Sequence, residues 1–113
     1  MIDMARTTVS KAIVTLQELL SGLDKAYWEA NTADNKDFFY DIIHAIHVEL
    51  SELNKLSIQD HDLHYESVTE SFGVAQVKLI QLNKYMHELV LHSGTAASLE
   101  RMIPDALTLT MRE

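Results

Sequence analysis

Two pairs of histidines three residues apart, His44/His47 and His61/His64, bracket the stretch "HAIHVELSELNKLSIQDHDLH" at residues 44–64. On a helix that spacing can bring two imidazoles to one metal ion. Each pair has acids beside it, Asp41 for the first and Asp60 and Asp62 for the second. On a helical wheel Asp37, Asp41 and His44 fall away from the apolar stripe, while His47 lies on its shoulder. An exposed Asp41–His44 pair lacks the outer groups that orient a ligand, so a weak surface chelate is the most it offers. The second chemical cluster is acidic. Glu49 and Glu52 in "VELSEL", with Glu66 and Glu70 in "ESVTESFG", put four carboxylates on two successive helical segments. Clustered oxygens of this kind suit a hard Mg²⁺ ion.

In outline the acidic hairpin resembles the all-α nucleotide pyrophosphohydrolases, which carry Glu-Glu-x-x-Glu on one helix and Glu-x-x-Asp on the next to hold Mg²⁺ against a triphosphate. The pattern departs at two ligands. Val48 stands where a Glu belongs beside Glu49 and Glu52, and Gly73 stands where the Asp belongs after Glu70. What the resemblance implies is a degenerate Mg²⁺ site at Glu49, Glu52, Glu66 and Glu70. Other metal-binding bundles fit less well. The His-x-x-x-Glu and His-x-x-x-His pairs of hemerythrin-like proteins are absent, and the Glu-x-x-His repeats of ferritin-like proteins are approached only once, by Asp41-Ile-Ile-His44. No histidine is followed by the Leu-Lys-Gly-like run of phosphotransfer domains. The chain has no cysteine, no glycine-flanked serine elbow and no glycine-rich phosphate loop, so thiol, triad and P-loop chemistry have no anchor.

The net charge of −8 is concentrated in one segment. Residues 1–28 and 71–113 are each balanced, whereas 29–70 holds ten acids against Lys36 and Lys55. A phosphate backbone would be repelled there, which disfavours nucleic acid; a basic protein surface or a divalent cation is the better electrostatic match. Asp37, Asp41, Glu52, Asp60 and Asp62 are the expected partner-binding acids. Part of the excess has a local explanation, since Asp34 and Asp37, and then Asp60, Asp62 and Glu66, stand where two helices are expected to begin and would offset their dipoles. Trp28 is a further candidate anchor for a partner.

These residues need elements to carry them, and the apolar spacing supplies helices. Alternating steps of four and three link Val9, Ile13, Leu16, Leu20, Leu23 and Tyr27, then Phe39, Ile43, Ile46, Leu50 and Leu53, then Val68, Phe72, Ala75, Leu79, Leu82, Met86 and Leu89. The spacing predicts helices over roughly 3–29, 34–57 and 61–92, the last two joined as an antiparallel hairpin. Asp34 is the expected cap of the second helix. Gly94 is the expected left-handed residue closing the third, followed by a short helix "AASLERMI" that Pro104 breaks or kinks. The tail "ALTLTMRE" alternates and leaves helix and strand both open.

The third helix carries a second apolar stripe, Val77, Ile80 and Leu91, with Gly73 on the same side to allow close approach. Two coverings are open: a second copy of the chain, or the C-terminal segment folding back across it. The expected architecture is an all-α antiparallel bundle of three long helices plus a short C-terminal helix, one domain over 1–113 and dimeric through Gly73, Val77, Ile80 and Leu91. No apolar run reaches 18 residues, so a soluble, cytoplasmic protein without membrane contact is expected. The expected function is that of a non-catalytic, regulatory binding protein presenting its acidic surface to a basic protein partner, with no cofactor. The alternative is the Mg²⁺-dependent nucleotide pyrophosphohydrolase with a degenerate site.

Overall fold

A computed structural model describes residues 8–56, 59, 63, 65–66 and 68–110. Among them every regular element is a helix: α1 (Val9–Glu29), α2 (Ala33–Leu53), α3 (Glu70–Lys84), the single turn α4 (Met86–Leu89) and α5 (Ser93–Thr110). The packing neighbours form a closed ring, α1 on α2, α2 on α3, α3 on α5 and α5 back on α1. The core lies inside that ring. It holds Leu16, Leu19, Phe39, Ile42, Ile46, Leu53, Phe72, Leu79, Leu82, Leu99 and Ile103, all fully buried. Glu49 meets Thr69 while Asp41 meets Lys78, so residue numbers fall along α2 as they rise along α3, and the pair is antiparallel.

Threonine opens each of the first three helices. Thr8, Thr32 and Thr69 sit in extended backbone and accept from the N–H groups of Lys11, Asn35 and Phe72, satisfying donors that the helix itself leaves free. The expected cap of α2, Asp34, instead lies in its first turn, two residues beyond Thr32.

The third helix departs most from the spacing argument. Its expected first two turns are not helical where the structure describes them. Val9 N–H donates to the Leu63 carbonyl, tying the connecting segment to the start of α1. The N–H groups of Val68 and Thr69 donate to the Glu49 carboxylate, so they are not available to a carbonyl four residues back. Helix therefore begins only at Glu70. Val68, expected in the seam, is 53% exposed, and Glu66 precedes the helix it was expected to open. At the other end Tyr85, with φ −112° and ψ 33°, interrupts the rod. Met86 and Val90 remain buried beyond the interruption, but Leu91 no longer continues the line of α3.

The C-terminal helix is not short. α5 runs 18 residues and passes through Pro104, which faces solvent. Ala96, Leu99, Ile103, Ala106 and Leu109 are its buried row, a helical spacing that the local alternation of the tail conceals. Gly94 lies in its first turn, and no described glycine has positive φ, so the expected left-handed closure does not occur. A different glycine is constrained. A Cβ on Gly22 would stand 2.9 Å from Leu99 Cδ2 and 3.3 Å from Met102 Sδ, so α1 and α5 approach closely because that side chain is missing.

Candidate functional site

Glu49 was the first acid of the expected metal set, and its surroundings decide what it does. Ile42, Ile46, Glu49 and Leu53 follow at steps of four, three and four, which puts the carboxylate in the middle of a buried row. It is fully buried. A carboxylate in that position requires donors on both oxygens. The segment leading into α3 supplies them. Oε2 accepts from Tyr65 Oη at 2.5 Å and from the Val68 N–H at 2.9 Å. Oε1 accepts from the Thr69 N–H at 3.0 Å and from Thr69 Oγ1 at 2.7 Å. The Thr69 hydroxyl donates to Glu49 and accepts from the Phe72 N–H, so one side chain joins the buried acid to the cap of α3.

Four protein donors surround the Glu49 oxygens, a demand a metal ion would have to displace. Glu52, exposed on the next turn, pairs with Lys55 at 2.9 Å. Glu66 and Glu70 lie at the far side of the connection, and Glu70 faces a surface cleft. Among the described residues no three His, Asp or Glu side chains are grouped to hold a metal ion. Glu49, Glu52, Glu66 and Glu70 are thus not brought together as the resemblance implied, because Glu49 turns into the core and its neighbours turn out.

The cleft, about 400 Å³, opens between α2 and α3. Asp41, His44 and Ala45 line it from α2, and Glu70, Ser71, Val74, Ala75 and Lys78 from α3. Lys78 Nζ stands 3.3 Å from Asp41 and 5.4 Å from the centre of the Phe38 ring. The His44 ring stacks on Tyr40 at 6.0 Å with 13° between planes. Two carboxylates against one ammonium leave this cleft acidic by one charge. Net negative charge therefore sits beside a small apolar patch in this cleft.

The acids of α2 extend that character. Asp34, Asp37, Asp41 and Glu52 are all exposed, and at 100° per residue they lie within about 60° of one another on the α3 side of the helix. Lys36, the one lysine of α2, is turned the other way. Its Nζ donates to the Tyr27 carbonyl at the end of α1 at 2.8 Å and sits over the Tyr27 and Trp28 rings. Nothing in the charge count foretells that orientation; the aromatic pair "YW" followed by a lysine is the only sign of it in the sequence. Trp28 itself is 71% exposed, set edge-on to Tyr27. Asp60, Asp62, His61 and His64 lie outside the described residues, so the second chelate and two of the expected partner-binding acids have no structural account.

On α3 the stripe expected to meet a partner is open. Val77 is 60% exposed and Ile80 49%, with Val74 beside them at 64%. The C-terminal helix packs on α1 and on another side of α3, so among the described residues this face is left uncovered. Leu91 is exposed too, but it follows the break at Tyr85. No helix among the described residues is long and apolar enough to cross a membrane. Comparison with protein-family models, curated proteins and solved structures gives no match for the chain.

Proposed function

We propose that this is a non-catalytic binding protein whose α2 surface receives a basic protein partner. The observation that carries the reading is the row Asp34, Asp37, Asp41 and Glu52, about 27 Å of exposed acids along one helix flank. The lysine within that helix is tied to α1, and two external lysines, Lys78 and Lys55, offset Asp41 and Glu52. Asp34 and Asp37 at one end of the row remain to attract cations. Charge arranged this way steers encounter and fixes register more than it adds raw affinity. The Mg²⁺-hydrolase alternative gains no support, because its central carboxylate is held by Tyr65, Val68 and Thr69.

The test is co-purification from the native host, followed by titration of the recovered partner against the parent chain and against a D37K/D41K/E52K variant. The expected result is at least about tenfold weaker binding by the variant, with a marked salt dependence in the parent. Equal affinities, or a partner with no basic surface, would overturn the reading.

A further inference from the structure

We propose that a second copy of this chain packs antiparallel along the outward face of α3, about a two-fold axis at Val77. This inference goes beyond the acidic row of α2 and stands on different residues. The core side of α3 is Phe72, Ala75, Leu79 and Leu82. On the opposite side, Glu70, Val74, Val77, Gln81 and Lys84 follow at steps of four, three, four and three, within about 80° of one another. Val74 and Val77 are 64% and 60% exposed, and Ile80 flanks them at 49%. Covering such side chains removes apolar surface from water and favours association.

The order of the row identifies the occupant. A two-fold contact requires that residue i meet j while j meets i. Glu70 and Lys84 each lie seven residues from Val77, about 10 Å along the helix in opposite directions. Reversed against itself, the row sets Glu70 on the partner's Lys84, Lys84 on the partner's Glu70, and Val77 on its own copy. Side by side in parallel it would set Glu70 on Glu70. The helix dipole accounts for an acid in the first turn and a base in the last, but not for their sharing one line with two bare valines. Gly73 borders the same face, and a Cβ there would meet nothing within 4 Å, which leaves room for a close approach. A single-helix contact is small for a protein interface, so a micromolar dissociation constant is expected.

Sedimentation equilibrium on the whole chain, over a micromolar-to-millimolar dilution series, tests this directly. The parent is expected to dimerise, V77D to dissociate at least about 100-fold more readily, and E70K or K84E each about tenfold more. The combined E70K/K84E variant should return to within about threefold of the parent, because reversal of both charges restores the pairs. Circular dichroism confirms that each variant remains helical. The chain has no cysteine, so V77C adds a second readout: mild oxidation should give a covalent dimer far faster than S51C, which sits on the exposed side of α2. A parent that stays monomeric throughout overturns the proposal. So does a dimer that survives V77D, a double variant no better than the singles, or equal cross-linking of V77C and S51C.

Discussion

Replacing Glu49 by glutamine changes one atom type in a sealed site, and the hydrogen bonds set the expected loss. Each carboxylate oxygen accepts one backbone N–H and one hydroxyl: Val68 and Tyr65 on Oε2, Thr69 twice on Oε1. A hydroxyl can rotate to face an amide NH₂, but a backbone N–H cannot. Whichever way the glutamine amide is turned, its NH₂ group meets the N–H of Val68 or of Thr69. One charge-assisted bond, worth about 1.5–3 kcal/mol, is lost, and a part-buried N–H is set against the amide NH₂, at the low end of the about 1–3 kcal/mol that an opposed donor costs. The three remaining bonds weaken as the charge goes. The expected loss for E49Q is therefore about 3–5 kcal/mol, a large fraction of the roughly 5–15 kcal/mol typical of a domain. Urea denaturation should show the midpoint falling with the slope unchanged. Hydrogen exchange should show the Val68 and Thr69 amides losing protection. Y65F, which removes a single hydroxyl donor, is the milder companion at about 1–2 kcal/mol. An E49Q protein within about 1 kcal/mol of the parent, with both amides still protected, would refute the reasoning.

Glu29 provides the opposite case: its Oε2 accepts from Thr95 Oγ1 at 3.1 Å, while Oε1 is buried with no hydrogen-bond partner. E29Q keeps the accepting oxygen and opposes no donor, so a change within about 0.5 kcal/mol is expected by the same urea assay. G22A should lower stability by about 1–2 kcal/mol, since contact with Leu99 and Met102 outweighs the gain in helix propensity. G94A, where a Cβ meets nothing within 4 Å, should raise stability by about 0.5–1 kcal/mol in the same thermal or urea series.

What could be read from the sequence divides along a physical line. Leu16, Leu23, Phe39, Ile46, Leu53, Phe72, Leu79 and Leu82 were legible as seam residues because burial follows helical periodicity, and all of them are buried. The start of α3 was not legible. It is set by one carboxylate that captures the N–H groups of residues 19 and 20 positions downstream, and no local pattern encodes a contact of that range. A trace was nonetheless present: an acid at the centre of Ile42, Ile46 and Leu53 is too buried for a ligand unless its surroundings provide donors. The length of α5 was obscured by Pro104 and by alternation in the tail. Its seam of Leu99, Ile103, Ala106 and Leu109 emerges only when the row is counted from within the helix. Surface charge was countable but not its orientation, and Lys36 turning toward Tyr27 is what leaves the flank of α2 acidic.

The close crossing of α1 and α5 at Gly22 and Leu99 has a bearing on biosynthesis, since 77 positions separate those two residues. As the ribosome delivers the chain, α1 can lean on α2 almost at once, but its other flank stays wet until α5 emerges from the exit tunnel. A transcript cut short before residue 93 would encode an open-sided sheaf of helices with an oily trough. Such truncated products would draw chaperones and proteases.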